Sequence, residues 1–299
     1  MTTFRTSALG EVRHSIRERT SGLLISVFCV MVTASAGIGF LTNQTVTDVY
    51  NKVISQNLTT APNPFDGVSN LYYARNSVIY VLLIGSLMAI TLGVQSGLRE
   101  RKLKIVDLVL TRPINIKILM LGKLAGIGIV LIAAIAFSMI LSWIILSLMI
   151  GGALGYSDSI RLVAFALVTL LLLLGFATLG LISGIRSRHE ASALVLPIVL
   201  WSVIAFVIPQ VGTAARPTAL LNPVPTLGVG GGYFDWIGPF TAPLSITEQF
   251  KNASSVILQD PNVQPDLASS LLSIFIFALV MVLVLLSSSR QTMRQSLND

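Results

Sequence analysis

Apolar residues in this chain fall into six long runs, at about Leu23 to Leu41, Ser77 to Gly97, Leu119 to Ile150, Leu162 to Ile185, Ala191 to Val211 and Leu267 to Leu286. Each has the roughly twenty residues that a helix needs to cross a bilayer. Within lipid an isolated segment can satisfy its backbone groups only by coiling on itself. The pattern therefore predicts an all-α integral membrane protein with six transmembrane helices, residues 1–299 forming a single transmembrane domain. The third run exceeds what a bilayer needs and has to tilt or project. Pro197 inside the fifth run, with Pro209 near its end, predicts a kink. The second run carries small residues four apart at Gly85, Ala89, Gly93 and Gly97, a spacing that lets a neighbouring helix approach closely.

The polar stretches have their own pattern. Ahead of the first run, Leu9, Val12 and Ile16 share one helical face and Arg13 and Arg17 another, as in a helix lying in the membrane interface. Thr42 to Asn76 reads as a polar connection broken by Pro62, Pro64 and Gly67. Residues 212–266 read as a long connection rich in Pro and Gly, with Tyr233, Phe234 and Trp236 placed to rest at headgroup level. Arg13, Arg17 and Arg19 before the first run, and Ala34-Ser35-Ala36 within it, imitate a cleavable signal. The apolar character continues through Leu41, which points to a helix that stays.

The long charged segment between two runs is Arg99 to Lys123, which holds seven of the twenty Lys and Arg residues against only Glu100 and Asp107. Leu98, Ile105, Leu108 and Val109 recur at helical spacing inside it, and Pro113 closes it. It is expected to form either a short amphipathic helix along a membrane face or a solvated, positively charged loop that only fixes topology.

Composition agrees with a membrane protein. Residues are 54% hydrophobic and 11% charged, where a soluble domain carries about 25% charge, and the mean hydropathy is +0.82. The net charge of +7 matters through its distribution. With the N-terminus in the cytoplasm, fifteen of the twenty basic residues fall inside, so both termini and the Arg99 to Lys123 segment are assigned to the cytoplasm of a cell-membrane protein and residues 212–266 to the outside. Three glycosylation sequons, at Asn43, Asn57 and Asn252, then fall outside.

Chemistry is sparse. Between the span boundaries there is no Asp, Glu, Lys or Arg except at the edges, which argues against an ion-coupled transporter. The two histidines, His14 and His189, belong to no metal-ligand spacing, and Gly122-Lys123 lacks the remainder of a phosphate loop. Cys29 has no second cysteine to pair with. Glu190 suits the start of the fifth helix, where a carboxylate complements the helix dipole. Gln95 and Gln210, near span ends, are expected to bond between helices, with lining a pathway as the alternative.

The charged segment carries a resemblance. Glu100-Arg101, Val106-Asp107-Leu108-Val109-Leu110, Thr111-Arg112-Pro113-Ile114 and Leu121-Gly122-Lys123 match in type and order the cytoplasmic signature of type-2 exporter permeases of the ATP-binding-cassette (ABC) family. The chain departs from it at Lys102 and Lys104-Ile105. The layout of six spans, an N-terminal interfacial helix and a long connection before the last span is similar too, with the nitrous-oxide-reductase maturation permease group as the nearest branch. The resemblance implies a permease that hydrolyses nothing itself and holds no cofactor, ATP being bound by a partner ATPase. It implies a coupling helix using Arg99, Glu100, Arg101, Ile105, Asp107, Leu108, Arg112 and Pro113. It also implies a second permease copy or a paired permease, with a pathway lined mostly by spans two and five, where Gly85, Ala89, Gly93, Gly97 and Pro197 would serve the pathway or dimer packing. The rival functions are a membrane-embedded lipid-modifying enzyme, which would need clustered polar residues at one depth, and a channel or scaffold without an ATPase.

Overall fold

The computed structural model describes residues 2–56, 58, 68–102, 115–187, 189–213, 216–226, 231–260 and 266–287. Among these residues every regular element is helical. An N-terminal helix, α1 (Thr2–Arg17), precedes six helices long and apolar enough to cross a membrane. These are α2 (Arg19–Ser55), α3 (Asn70–Arg99), α4 (Ile116–Ile150), α5 (Tyr156–Arg186), α6 (Glu190–Gly212) and, after two short helices, α9 (Leu267–Leu286).

The apolar runs place these six correctly, but two connections differ from expectation. Thr42 to Ser55 is helical, so α2 is 37 residues long and spans about 55 Å, well beyond the bilayer core. Along its polar end Thr42 and Thr45 donate their hydroxyls to the carbonyls of Ile38 and Leu41, at 2.8 and 3.0 Å, so these polar groups are satisfied within the helix. Polarity there marks the membrane boundary and not the end of the helix. Helical structure resumes at Asn70, where the Ser69 hydroxyl accepts from the Leu71 amide at 3.3 Å.

The second difference is the stretch after α6. Instead of an irregular connection, it holds α7 (Tyr233–Thr241) and α8 (Ile246–Ile257). Along α8 the positions Ile246, Phe250, Ala253 and Ile257 are buried against α5 and α9. Phe250 stacks 6.1 Å from Phe165 of α5. Meanwhile α7 turns Tyr233, Trp236 and Phe240 outward. The sequon at Asn252 is folded into this packing, since Ala253 and Ser254 are fully buried.

At the centre, α3 and α5 are the most buried of the six and pack along their length. Phe28 and Val32 of α2, Ile127 and Leu131 of α4, and Ile274 of α9 close over them. The outermost helix is α6, which touches the bundle through Ala193, Pro197, Trp201 and Ala205, one position per turn.

Candidate coupling and translocation site

The coupling residues inferred from the signature divide at Lys102. Arg99 is placed, and α3 continues as helix through Glu100, Arg101 and Lys102; Ile105, Asp107, Leu108, Arg112 and Pro113 lie outside the described residues. What the structure defines is how the two ends of that segment are held. Asn115 starts α4 by accepting the Lys117 amide on its side chain at 3.0 Å. About two turns later the Lys123 ammonium, 3% exposed, donates to the Ser96 carbonyl of α3 at 2.6 Å. The end of α3 and the start of α4 are thereby tied directly.

A third element braces them. Gly122 and Gly126 form a bare patch on α4, and a methyl carbon at Gly126 would come 2.4 Å from Cβ of Glu11. Only a residue without Cβ lets α1 seat this closely. Seated there, the buried Glu11 carboxylate accepts from the Arg99 guanidinium at 2.6 Å. Removing either partner leaves a charge in a poorly solvated place, so the pair locks α1 to the end of α3. The Ser7 hydroxyl adds a bond to the Leu119 carbonyl at 3.3 Å. Gln95 fastens the next turn of α3 to the start of α2, accepting from Ser21 at 2.7 Å and donating to Thr20 at 2.8 Å. It bonds between helices, as its position predicts. Glu190 likewise opens α6 in its first turn.

The small-residue stripe lies inside the chain. Gly93 faces the Ala177 carbonyl, Gly97 faces Gly184, and Gly85 faces Phe28 and Leu173, while Ala89 is fully buried. The matching surface on α5 is Gly180 and Gly184, whose added Cβ atoms would meet the backbone of Ile90 and Val94. Pro197 is buried within α6. Lacking an amide hydrogen, it leaves the Ala193 carbonyl one turn earlier without its helical donor. The Ser183 hydroxyl of α5 supplies that bond at 2.9 Å. A π-helical turn follows at Val203–Val207.

Between α2, α3 and α6 lies a cavity of about 530 Å³, walled by Leu23, Leu24, Val94, Leu98 and Leu194 and edged by Glu18, Thr20, Gln95 and Glu190. It joins an apolar interior to a polar mouth at the end of the bundle that holds Arg99.

The opposite end buries charge that the sequence leaves hidden. Lys251 of α8 is fully buried and donates to Glu248 at 2.7 Å and to the Ala219 carbonyl at 2.6 Å. The other Glu248 oxygen accepts the Thr226 amide at 2.8 Å. Arg75 sits over the Tyr72 ring and 3.7 Å from the buried Asp260. The absence of ionisable residues inside the apolar runs does not extend to the ends of the bundle, where Glu11, Lys123, Glu248, Lys251 and Asp260 are all buried. The i,i+3 spacing of Glu248 and Lys251 is visible in sequence but is common on solvated helices. Gly180 with Gly184 and Gly122 with Gly126 are visible in sequence as small residues four apart.

A family model described as "ABC-2 family transporter protein" matches residues 5–296. None of the curated proteins matches the chain.

Proposed function

The chain belongs to the ABC-2 family of transporter proteins, and from that premise we propose that it is the permease subunit of an ATP-driven exporter whose power stroke enters through residues 99–113. As a family member it is a multi-pass membrane component of an ABC transporter. The finer claim concerns the partner: a separate ATPase docks on the segment joining α3 to α4, on the cytoplasmic side of the cell membrane, and its closure on ATP is passed to the bundle.

One observation carries this. Both ends of the segment are fastened to rigid structure, through Arg99 to Glu11 and through Lys123 to Ser96. A movement that reaches either end of the segment would therefore act on α1, α3 and α4 together. The glycine contact between α3 and α5 hands the movement to the centre of the bundle. The outer face of α6 exposes Val195, Leu196, Val199 and Val203, which a second permease copy would cover. The cavity beside α2, α3 and α6 would then be a compartment for substrate between the copies, presented to alternate sides as the copies rock.

The test is made in the segment itself. Asp107→Lys and Leu108→Asp are expected to abolish ATPase association or transport while the permease still inserts into the membrane. Unimpaired coupling in both variants refutes the docking assignment.

A further inference from the structure

The helix α1 has two faces with different chemistry. The face holding Ala8, Glu11 and Ser15 is buried against α4 and its surroundings. On the other side Arg5, Leu9, Arg13, Ile16 and Arg17 are all exposed, with Leu9 50% and Ile16 72% open. Three arginines thus flank two bare aliphatic side chains, and the single acidic residue within α1, Glu11, is already engaged by Arg99 on the far face.

We propose that this outward face of α1 binds the headgroups of anionic lipids. Its position supplies the occupant. Being packed beside Gly122 and Gly126, α1 lies at the level where the buried apolar cluster of Met120, Leu124 and Leu285 ends. A face at that depth meets the boundary between acyl chains and headgroups. Leu9 and Ile16 suit the apolar side of that boundary and the arginines suit phosphates, the arrangement by which an amphipathic basic helix holds a charged surface. The same helix grips Arg99 through Glu11, so headgroup binding steadies the end of α3. This assignment holds whether or not an ATPase docks on the adjoining segment.

The experiment uses the full-length chain in nanodiscs of phosphatidylcholine alone or mixed equally with phosphatidylglycerol. A nitroxide is attached at Leu9→Cys; the unmodified chain, whose buried Cys29 is 7% exposed, gives the labelling background. Relative access of oxygen and of a water-soluble nickel complex reports immersion. The label is expected to be immersed in both discs and deeper in the anionic one. That difference should collapse when Arg5, Arg13 and Arg17 are all changed to Gln and persist when all are changed to Lys. Each arginine at an anionic surface contributes roughly a fivefold preference at low salt, so 0.5 M salt should remove most of the difference in the unsubstituted helix as well. A label open to nickel in both discs would overturn the proposal and indicate a face turned to water or to a protein partner. Equal immersion in the two discs would overturn it too, leaving an apolar anchor without charge selection.

Discussion

Gly93 and Gly180 show how little room the centre of the bundle has, because a methyl carbon on either would lie 2.1 Å from a carbonyl oxygen of the facing helix. A backbone carbonyl cannot swing aside as a side-chain tip can, so the helices would have to part. Gly93→Ala and Gly180→Ala are expected to lower the melting temperature of the detergent-purified protein sharply. Gly10→Ala, with no atom within 4 Å of the new carbon, should instead stabilise α1 by about 0.5–1 kcal/mol through helix propensity. A thermal melt that ranked the three alike would contradict the packing described. The second residue-scale case is Lys251, buried beside Glu248. Lys251→Met strands a buried carboxylate and should cost about 3–5 kcal/mol; adding Glu248→Gln should recover part of that loss in the same melt. Neither residue announces its burial in sequence, because a Glu and a Lys three apart usually decorate a wet surface, and only the partners at Ala219 and Thr226 make theirs a dry one.

At the scale of elements, the contact between α5 and α6 has a chemical reason that can be tested as a cycle. Ser183 fills the bond that Pro197 withholds from Ala193. Hydrogen bonds between membrane helices contribute about 0.6 kcal/mol on average and up to about 1.7, so Ser183→Ala should destabilise by roughly that amount. In a Pro197→Ala background the restored amide can serve Ala193 itself, and the Ser183→Ala effect should shrink towards zero. Equal effects in both backgrounds would mean that the serine does something else. The six membrane helices were legible because apolar runs of that length have few other uses. Their ends were not, since hydropathy records where water begins and a helix such as α2 continues past that point to Ser55. The helices α7 and α8 are hard to see in sequence for a related reason: Gly238 and Pro239 inside α7 signal a break, and the burial of Phe250 and Ile257 in α8 depends on α5 and α9 being there to receive them. The spacing from Gly85 to Gly97 marks a surface of close approach in sequence, but not its counterparts, which for Gly93 and Gly97 are α5 and for Gly85 are Phe28 of α2 and Leu173 of α5.

For the whole molecule, three anchors converge where α3 ends and α4 begins: the ion pair from Glu11 to Arg99, the bond from Lys123 to Ser96, and the seat of α1 on Gly122 and Gly126. Under the proposed function they would pass a force arriving at the joining segment to α1, α3 and α4 together. Glu11→Ala is expected to leave membrane insertion intact and weaken coupling, read as the loss of ATPase stimulation by substrate, because it frees Arg99 and loosens α1 in one step. The braces at the ends of the segment are invisible in sequence, being contacts between residues about 90 positions apart in the case of Glu11 and Arg99. The most direct test of the permease assignment is the composition of the native complex. The tagged full-length chain, extracted in mild detergent from membranes that express its own operating partners, is weighed by native mass spectrometry. Two permease subunits with two ATP-binding subunits are predicted, and the ATP-binding subunits should be absent when the chain carries Leu108→Asp. A particle that contains the unsubstituted chain and no ATP-binding subunit would contradict the account.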